Sequence, residues 1–360
     1  MPGWLFATGG CSHGLELLAS VLCRPGDVVV CEEPTYFLAG QIWRDHGLEV
    51  QAIGSDGEGL RVDSLAHAIE HEGLRPKLVY TVSSCANPSG ATMPHARRLA
   101  LAQLARRHRF WVVADEAYHL LRWAPEGDEA DTGRPVRMVA HDWEYASAAR
   151  GASGEDGLTS GGIVSVSSWS KVLAPTLRIG WIEARPSVVG ALARRGYVFS
   201  GGNPAGISAE VVAEAILSGG AAQHMRGLCA AYAKRCAALC AAVRASEAGL
   251  TLRVPCGGYS GGYFVWVRLP PYAADSEAVE EAALEAGVAV LAGTRCSARA
   301  RGVTNSSECD GAELSRHVRL CFAMLKGSEL EEAVRRLSRA TLASPASSTR
   351  CPTWGTTCSG

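Results

Sequence analysis

Residues 77–115, KLVYTVSSCANPSGATMPHARRLALAQLARRHRFWVVAD, decide the fold class. The stretch opens on a β-rich apolar run, KLVYTVS (77–83), and closes on another, RFWVVAD (109–115). Between them lie an Asn-Pro turn and a helical pattern, PHARRLALAQLARRH (94–108), with Pro94 at its start. Strands that are apolar almost without interruption need cover on both faces, as in a parallel sheet with helical crossovers. The same rhythm runs upstream: strand WLFAT (4–8), helix HGLELLASVLC (13–23), strand DVVVCE (27–32), helix YFLAGQIWRDH (36–46). This alternation predicts an α/β fold with a large, mainly parallel sheet. Right-handed crossovers then bring the ligand-binding strand ends to one edge.

Residues 125–162, rich in Gly, Ala, Ser, Asp and Glu, break the rhythm and read as a long surface insertion. A strand, GIVSVS, resumes it, and 204–245 is helical and alanine-rich. Strands at 251–254, 262–268, 287–291 and 317–322, with helices near 275–286 and 327–340, then read as a small α+β domain. Residues 293–312 read as a polar loop. The expected division is a large domain over 1–220, a long helix and small C-terminal domain over 221–342, and a disordered Ser/Thr/Pro/Gly-rich tail over 343–360.

The 360 residues carry a formal net charge of -1, which gives no electrostatic case for nucleic acid or a membrane surface. No apolar run has the length of a membrane span. The start, MPGWLFATGG, lacks a signal-peptide pattern. Thirteen scattered cysteines, an odd number without a CxxC pair, read as a reducing, cytoplasmic setting with no disulfide framework and no metal site. Cys236 and Cys240, one helical turn apart, read as small apolar packers.

Five features sit at or just after the ends of expected strands. In TGGCSHGLEL (8–17) two glycines and a small hydroxyl open a helix, which suits a phosphate but also an ordinary β–α turn. In EEPTYF (32–37) Tyr36 could stack on a flat ligand or pack into the core. In CANPSGATMP (85–94) Asn87 offers an amide from a tight turn of a common kind. In VVADEAYHLL (112–121) Asp115 ends a strongly apolar strand, where a carboxylate needs a cation or donor partner, or serves as a helix cap. In SVSSWSKVLAPTLRIGW (165–181) Lys171 stands beside Ser168 and Ser170, with Arg178 seven residues on. Serine hydroxyls and an arginine fork suit one phosphate dianion, and a lone lysine beside them could form a Schiff base. Pro175 keeps this segment from becoming a long helix, and Ser165 and Ser167 belong to the preceding strand.

Taken in order, the phosphate turn, PTYF, NPSG, ADEAY and SWSKVLAPTLRIGW resemble the fold-type I aminotransferases that use pyridoxal phosphate. The similarity is greatest to the class I/II branch containing aminoadipate, kynurenine and aromatic amino acid aminotransferases, whose small domain GGYFVWVRLP (261–270) and VRLCFA (318–323) also fit. It runs from about residue 4 to about residue 340. The resemblance implies the PLP-dependent transferase fold and a homodimer. It makes Lys171 the lysine of the cofactor aldimine, Asp115 the partner of the pyridine nitrogen and Tyr36 a ring-stacking residue. Tyr118 and Asn87 would bond the ring oxygen, while Gly10, Cys11, Ser12, Ser168, Ser170 and Arg178 would hold the phosphate. Arg319 would grip the substrate α-carboxylate, with Asn87 nearby. The implied reaction is ping-pong transfer of an amino group from an L-amino acid to a 2-oxo acid; a PLP-dependent lyase or synthase of the same fold, or a degenerate binding relative, is the alternative.

Two departures stand out. The family carries a further segment ahead of the phosphate turn, and here the sequence begins almost at the first large-domain strand, so the resemblance implies that this N-terminal segment is missing and the substrate side open. Many relatives read Gly-Ser-Gln where this chain reads Gly10-Cys11-Ser12, which keeps the backbone donors and changes a side-chain contact.

Overall fold

The computed structural model describes residues 2–123, 136–143, 158–202, 204, 206–299 and 312–345. Most of the expected 125–162 insertion, of the 293–312 loop and of the 343–360 tail lies outside the described residues. The chain opens with strand β1 (Leu5–Thr8), helix α1 (Cys11–Leu22), β2 (Val28–Glu33) and α2 (Phe37–Asp45). β3 (Glu49–Asp56), β4 (Gly59–Leu60) and α3 (Val62–His71) follow, then β5 (Leu78–Thr81), α4 (His95–His108) and β6 (Trp111–Asp115). β7 (Gly162–Ser168) and β8 (Gly180–Glu183) complete an eight-stranded sheet of order β1-β8-β7-β6-β5-β2-β3-β4. Strands β3, β2, β5, β6 and β7 run parallel, and β1, β4 and β8 join antiparallel. The sheet is mixed but mainly parallel, as the alternation predicts.

Helices α5 (Pro186–Ala193), α6 (Gly196–Phe199), α7 (Gly206–Leu217) and α8 (Gly220–Arg244) lead to a second sheet. Its strands β9 (Thr251–Leu252), β10 (Phe264–Arg268), β11 (Leu291–Ala292) and β12 (His317–Cys321) pair antiparallel in the order β11-β12-β10-β9. The strands expected at 251–254 and 287–291 are shorter or later than their apolar runs suggest. Helices α9 (Ser276–Glu285) and α10 (Gly327–Ala343) cover this sheet together with α8. Cys236 and Cys240 are buried in α8 as apolar packers. Among the described residues no helix is long and apolar enough to cross a membrane.

Side-chain alternation sorts the central strands between two cores. Leu78, Tyr80, Trp111, Val113, Val164 and Val166 point to the face covered by α1, with Leu15 and Leu18. Val79, Val112, Ala114 and Ile163 point to the face covered by α4, with Leu101, Leu104 and Ala105. β5, β6 and β7 are buried at every residue, which explains why β5 and β6 are apolar up to their last residue and why the polar residues of β7 are small serines. β3, in contrast, lies beside the two-residue edge strand β4, is half-exposed and carries Glu49, Gln51, Ser55 and Asp56. It lacks the apolar signature, and the sequence reading assigned no element to residues 47–76.

Part of the expected surface insertion packs inward, although Val136 and Thr159 are exposed. Met138 and Val139 are fully buried, and Asp142 makes a double hydrogen bond with Arg185, at 2.6 and 2.7 Å. Arg137 reaches inward to Glu116 at 3.0 Å and to Glu183 at 2.5 Å. Polar composition suggested solvent, but these charges are matched inside the protein.

Glu32, at the end of β2, ties that strand to the chain leaving β5. It accepts from the Thr81 hydroxyl at 2.8 Å and the Val82 N–H at 2.7 Å. Its burial outweighs these bonds and pushes the carboxyl from 4.5 up to about 7. Between those two values the folded chain holds a proton that the unfolded chain has released. The stabilisation is therefore complete at low pH and fades as pH rises through about 7, with a slope of at most about 1.4 kcal/mol per pH unit. Glu32→Gln should gain urea stability over the wild type as pH is raised from 5 to 8; parallel stability curves for the two proteins would refute this.

Candidate active site

The site begins where β1 hands over to α1. Gly10 holds φ of 100°, and a Cβ there would lie 2.7 Å from Nη2 of Arg178. The backbone N–H groups of Cys11 and Ser12, in the first turn of α1, face outward without helical acceptors, at the positive end of the helix dipole. Gly180 sits between β1 and β7, paired with Thr8 and Ser168. A Cβ on it would come within 2.6 Å of the Ser167 carbonyl and 2.7 Å of Gly10 Cα. The absence of that side chain lets the turn and the lysine loop approach each other.

Past β7 the chain makes two single 3-10 turns, Trp169–Lys171 and Pro175–Leu177. Ser168 caps the first, its hydroxyl accepting from the Ser170 N–H at 3.0 Å. Arg178 donates to the Ser170 hydroxyl at 3.2 Å and to the Gly9 carbonyl at 2.7 Å. Ser165 and Ser167 lie on β7, as their sequence position indicates.

Asp115 ends β6 on the α1 face and is almost fully buried. Its carboxylate accepts from the Tyr80 hydroxyl at 3.0 Å and the Ala117 N–H at 3.2 Å. Burial pushes its proton affinity up, against these two donors, the Cys11 thiol and the Lys171 charge. The neighbouring Glu116 faces the other way, onto Arg98 at 3.3 Å and Arg137 at 3.0 Å. Burial would raise Glu116, but Arg137, His119 and Arg98 together hold it below the usual carboxylate range.

Lys171 Nζ lies 5.6 Å from the centre of the Tyr263 ring, and the Tyr263 hydroxyl donates to the Lys171 carbonyl at 2.7 Å. Tyr118 packs against Tyr263 and Phe264. Arg319, from β12, donates to Asn87 Oδ1 at 2.8 Å and lies over the Phe264 ring at 4.1 Å. Tyr36 immediately precedes α2.

Cys11, Ser12, Tyr36, Asn87, Asp115, Tyr118, Ser168, Ser170, Lys171, Arg178 and Arg319 thus line one cavity of about 330 Å3, and Gly10 abuts it through Arg178. Sequence reasoning missed Phe37, Val82, Ala117 and Phe264 on its wall, and Tyr80 and Tyr263 behind it. Tyr263 belongs to the quoted GGYFVWVRLP segment, which carried the family likeness without marking a site residue. Tyr80 had no signal of its own, being one aromatic in an apolar strand.

The donor set fits pyridoxal phosphate. One end offers a guanidinium, a serine hydroxyl and helix N–H groups to a dianion. The other holds a buried carboxylate that makes no ion pair among the described residues and whose hydrogen-bond partners are neutral donors. The cavity volume falls in the small-molecule range of roughly 300–1,000 Å3.

The profile of the family described as Aminotransferase class I and II matches residues 4–337. Aromatic-amino-acid aminotransferase 1 of Thermococcus litoralis is 29% identical over 340 residues, covering 93% of this chain and 71% of that protein. The 2-aminoadipate transaminase of Thermus thermophilus is 26% identical, over 94% of this chain and 75% of its own length. The crystal structure of a multiple substrate aminotransferase from Thermococcus profundus superposes with a TM-score of 0.76 at 26% identity, over 94% of this chain and 75% of that one. A lyase or a non-catalytic relative is not favoured by these likenesses. The chain belongs to the aminotransferase class I and II family, enzymes that transfer an amino group with pyridoxal phosphate.

Proposed function

We propose that the chain transfers the amino group of an L-amino acid to a 2-oxo acid by a ping-pong sequence centred on Lys171. The observation that carries this reading is the gathering of Lys171, Asp115, Arg178 and Arg319 around one cavity, although they come from distant parts of the sequence. Bound pyridoxal phosphate supplies an aldehyde that takes up the amino group and a ring that draws electrons from the reacting carbon. Arg178, the Ser170 hydroxyl and the N–H groups of Cys11 and Ser12 hold the phosphate, with Gly10 leaving room for Arg178 and Ser168 shaping the turn. Asp115 would pair with the ring nitrogen, Tyr36 would stack on the ring, and Tyr118 and Asn87 would bond the ring oxygen.

Lys171 would hold the cofactor at rest and, once freed by the substrate amine, would serve as the base that takes the proton from the substrate Cα. Tyr263 anchors its carbonyl, so the amine swings on a fixed backbone. Arg319 orients the substrate α-carboxylate with a planar fork already braced by Asn87 and Phe264. The first product leaves as a 2-oxo acid, and a second 2-oxo acid collects the amino group.

Lys171→Ala should lower kcat by at least about 10²–10⁴-fold, and borohydride should fix cofactor to the wild-type chain but not to the variant. Retained turnover would sink the assignment. Arg319→Lys should reduce kcat/KM by about 10–100-fold, chiefly through KM of the amino acid; an unchanged KM would remove Arg319 from substrate binding.

We also read the enzyme as a cytoplasmic homodimer. Absence of disulfides among the described residues supports a reducing compartment. Phe199 and the α7 residues Ile207, Val211, Ile216 and Leu217 are all exposed, Phe199 at 87% and Ile207 and Leu217 at 83%. This many exposed apolar side chains on and just before one helix suits burial against a second copy. The double variant Phe199→Asp/Ile207→Asp should sediment as a monomer where the wild type sediments as a dimer; a variant that stays dimeric would place the interface elsewhere.

A further inference from the structure

The least expected contact in the site is made by Tyr80. This side chain is fully buried, packs edge-on against Trp43 at 5.9 Å and spends its hydroxyl on Asp115 Oδ2. The geometry follows from register: Tyr80 pairs with Val113, and Asp115 is two residues further along the same face. Burial, then the nearby Asp115 charge, push the Tyr80 phenol well above its usual value, so it stays a neutral donor. The Cys11 thiol, at the start of α1 above the same face, is pushed up for the same two reasons and also stays protonated. The other titratable groups that bear on Asp115 are Lys171, which favours its charged form, and Glu32, Tyr36 and Tyr118.

We propose that Tyr80 is the positioning residue that holds Asp115 as a carboxylate and so keeps the shared proton on the cofactor's ring nitrogen. This rests on the reading of Asp115 as the ring-nitrogen partner. Carboxyl and ring nitrogen share one proton. Burial alone favours the neutral arrangement, with the proton on Asp115 and an uncharged ring. Each hydrogen bond donated to the carboxylate lowers its affinity for that proton and shifts it to the nitrogen. No atom is transferred; only the position of the proton between two heavy atoms is set. A protein cation at the same place would oppose the positive ring, whereas neutral donors favour the carboxylate without competing for it.

The test uses holoenzyme loaded with pyridoxal phosphate labelled with 15N in the ring. In Tyr80→Phe, which removes only the hydroxyl, the nitrogen resonance should move from the pyridinium range toward neutral pyridine, and kcat should fall about 10–100-fold. Should Tyr80→Phe not fold, fluorotyrosine incorporated at position 80, a stronger hydroxyl donor, should move the resonance further into the pyridinium range, and an unmoved resonance overturns the role of Tyr80. A wild-type resonance in Tyr80→Phe, with a displaced one in Asp115→Asn, overturns the role of Tyr80 and leaves Asp115 in place. A wild-type resonance in Asp115→Asn overturns the ring-nitrogen reading itself.

Discussion

Asp115 is a carboxylate taken out of water at the end of a strand whose two faces are both covered, and much of the site can be understood as a consequence. A charge in that position must be answered by oriented donors. The nearest are supplied by the adjacent parallel strand through Tyr80, by the turn after β6 through the Ala117 N–H, and by the start of α1 through Cys11. The helix that covers this face therefore also brings its N-terminus, with its open N–H groups, over the strand end. One helix and one strand thus fix both the carboxylate and the anion site.

The two ends of the cavity draw on different sheets. The large sheet supplies Asp115, the turn around Gly10 and the loop bearing Lys171, held close by the bare Cα of Gly180. The small sheet supplies Arg319 and Phe264, and Tyr263 just before it. Two hydrogen bonds join them here, Arg319 to Asn87 and Tyr263 to the Lys171 carbonyl. Any shift of one sheet against the other would therefore move the Arg319 fork and the lysine backbone together, which under the proposed roles would couple substrate grip to proton transfer.

How much of this was legible in the sequence depends on where each residue sits. The strands β5 and β6 announce themselves because both faces are buried, and the turns after them carry polar residues that have no packing reason to be there. Asn87 follows β5, Asp115 closes β6, and Lys171 and Arg178 follow β7. β3 did not show because it is half-exposed beside the edge strand β4 and has no continuous apolar run. Tyr80 was hidden for the opposite reason: in a wholly apolar strand an aromatic looks like filling, and only the register across to β6 gives its hydroxyl a purpose. The burial of Met138 and Val139 was likewise invisible, since the charges around them are satisfied by residues far along the chain, Glu116, Glu183 and Arg185.

Asp115 and Glu116 show how finely the sheet makes this selection. They are adjacent, both acidic and both buried, yet strand alternation sends them to opposite sides. Glu116 meets Arg98 and Arg137 on the α4 side and is held ionised by cations that stay with the protein. Asp115 meets neutral donors on the α1 side, beside the cavity. A guanidinium there would have neutralised it and left it with little attraction for a ligand cation. The difference is one residue of register, since a slip of one position would turn the Asp115 position to the arginine side and the Glu116 position to the cavity. What equips this strand end for a cationic ring is therefore less the acidic residue itself than the absence, on its own face of the described structure, of a permanent partner in its place.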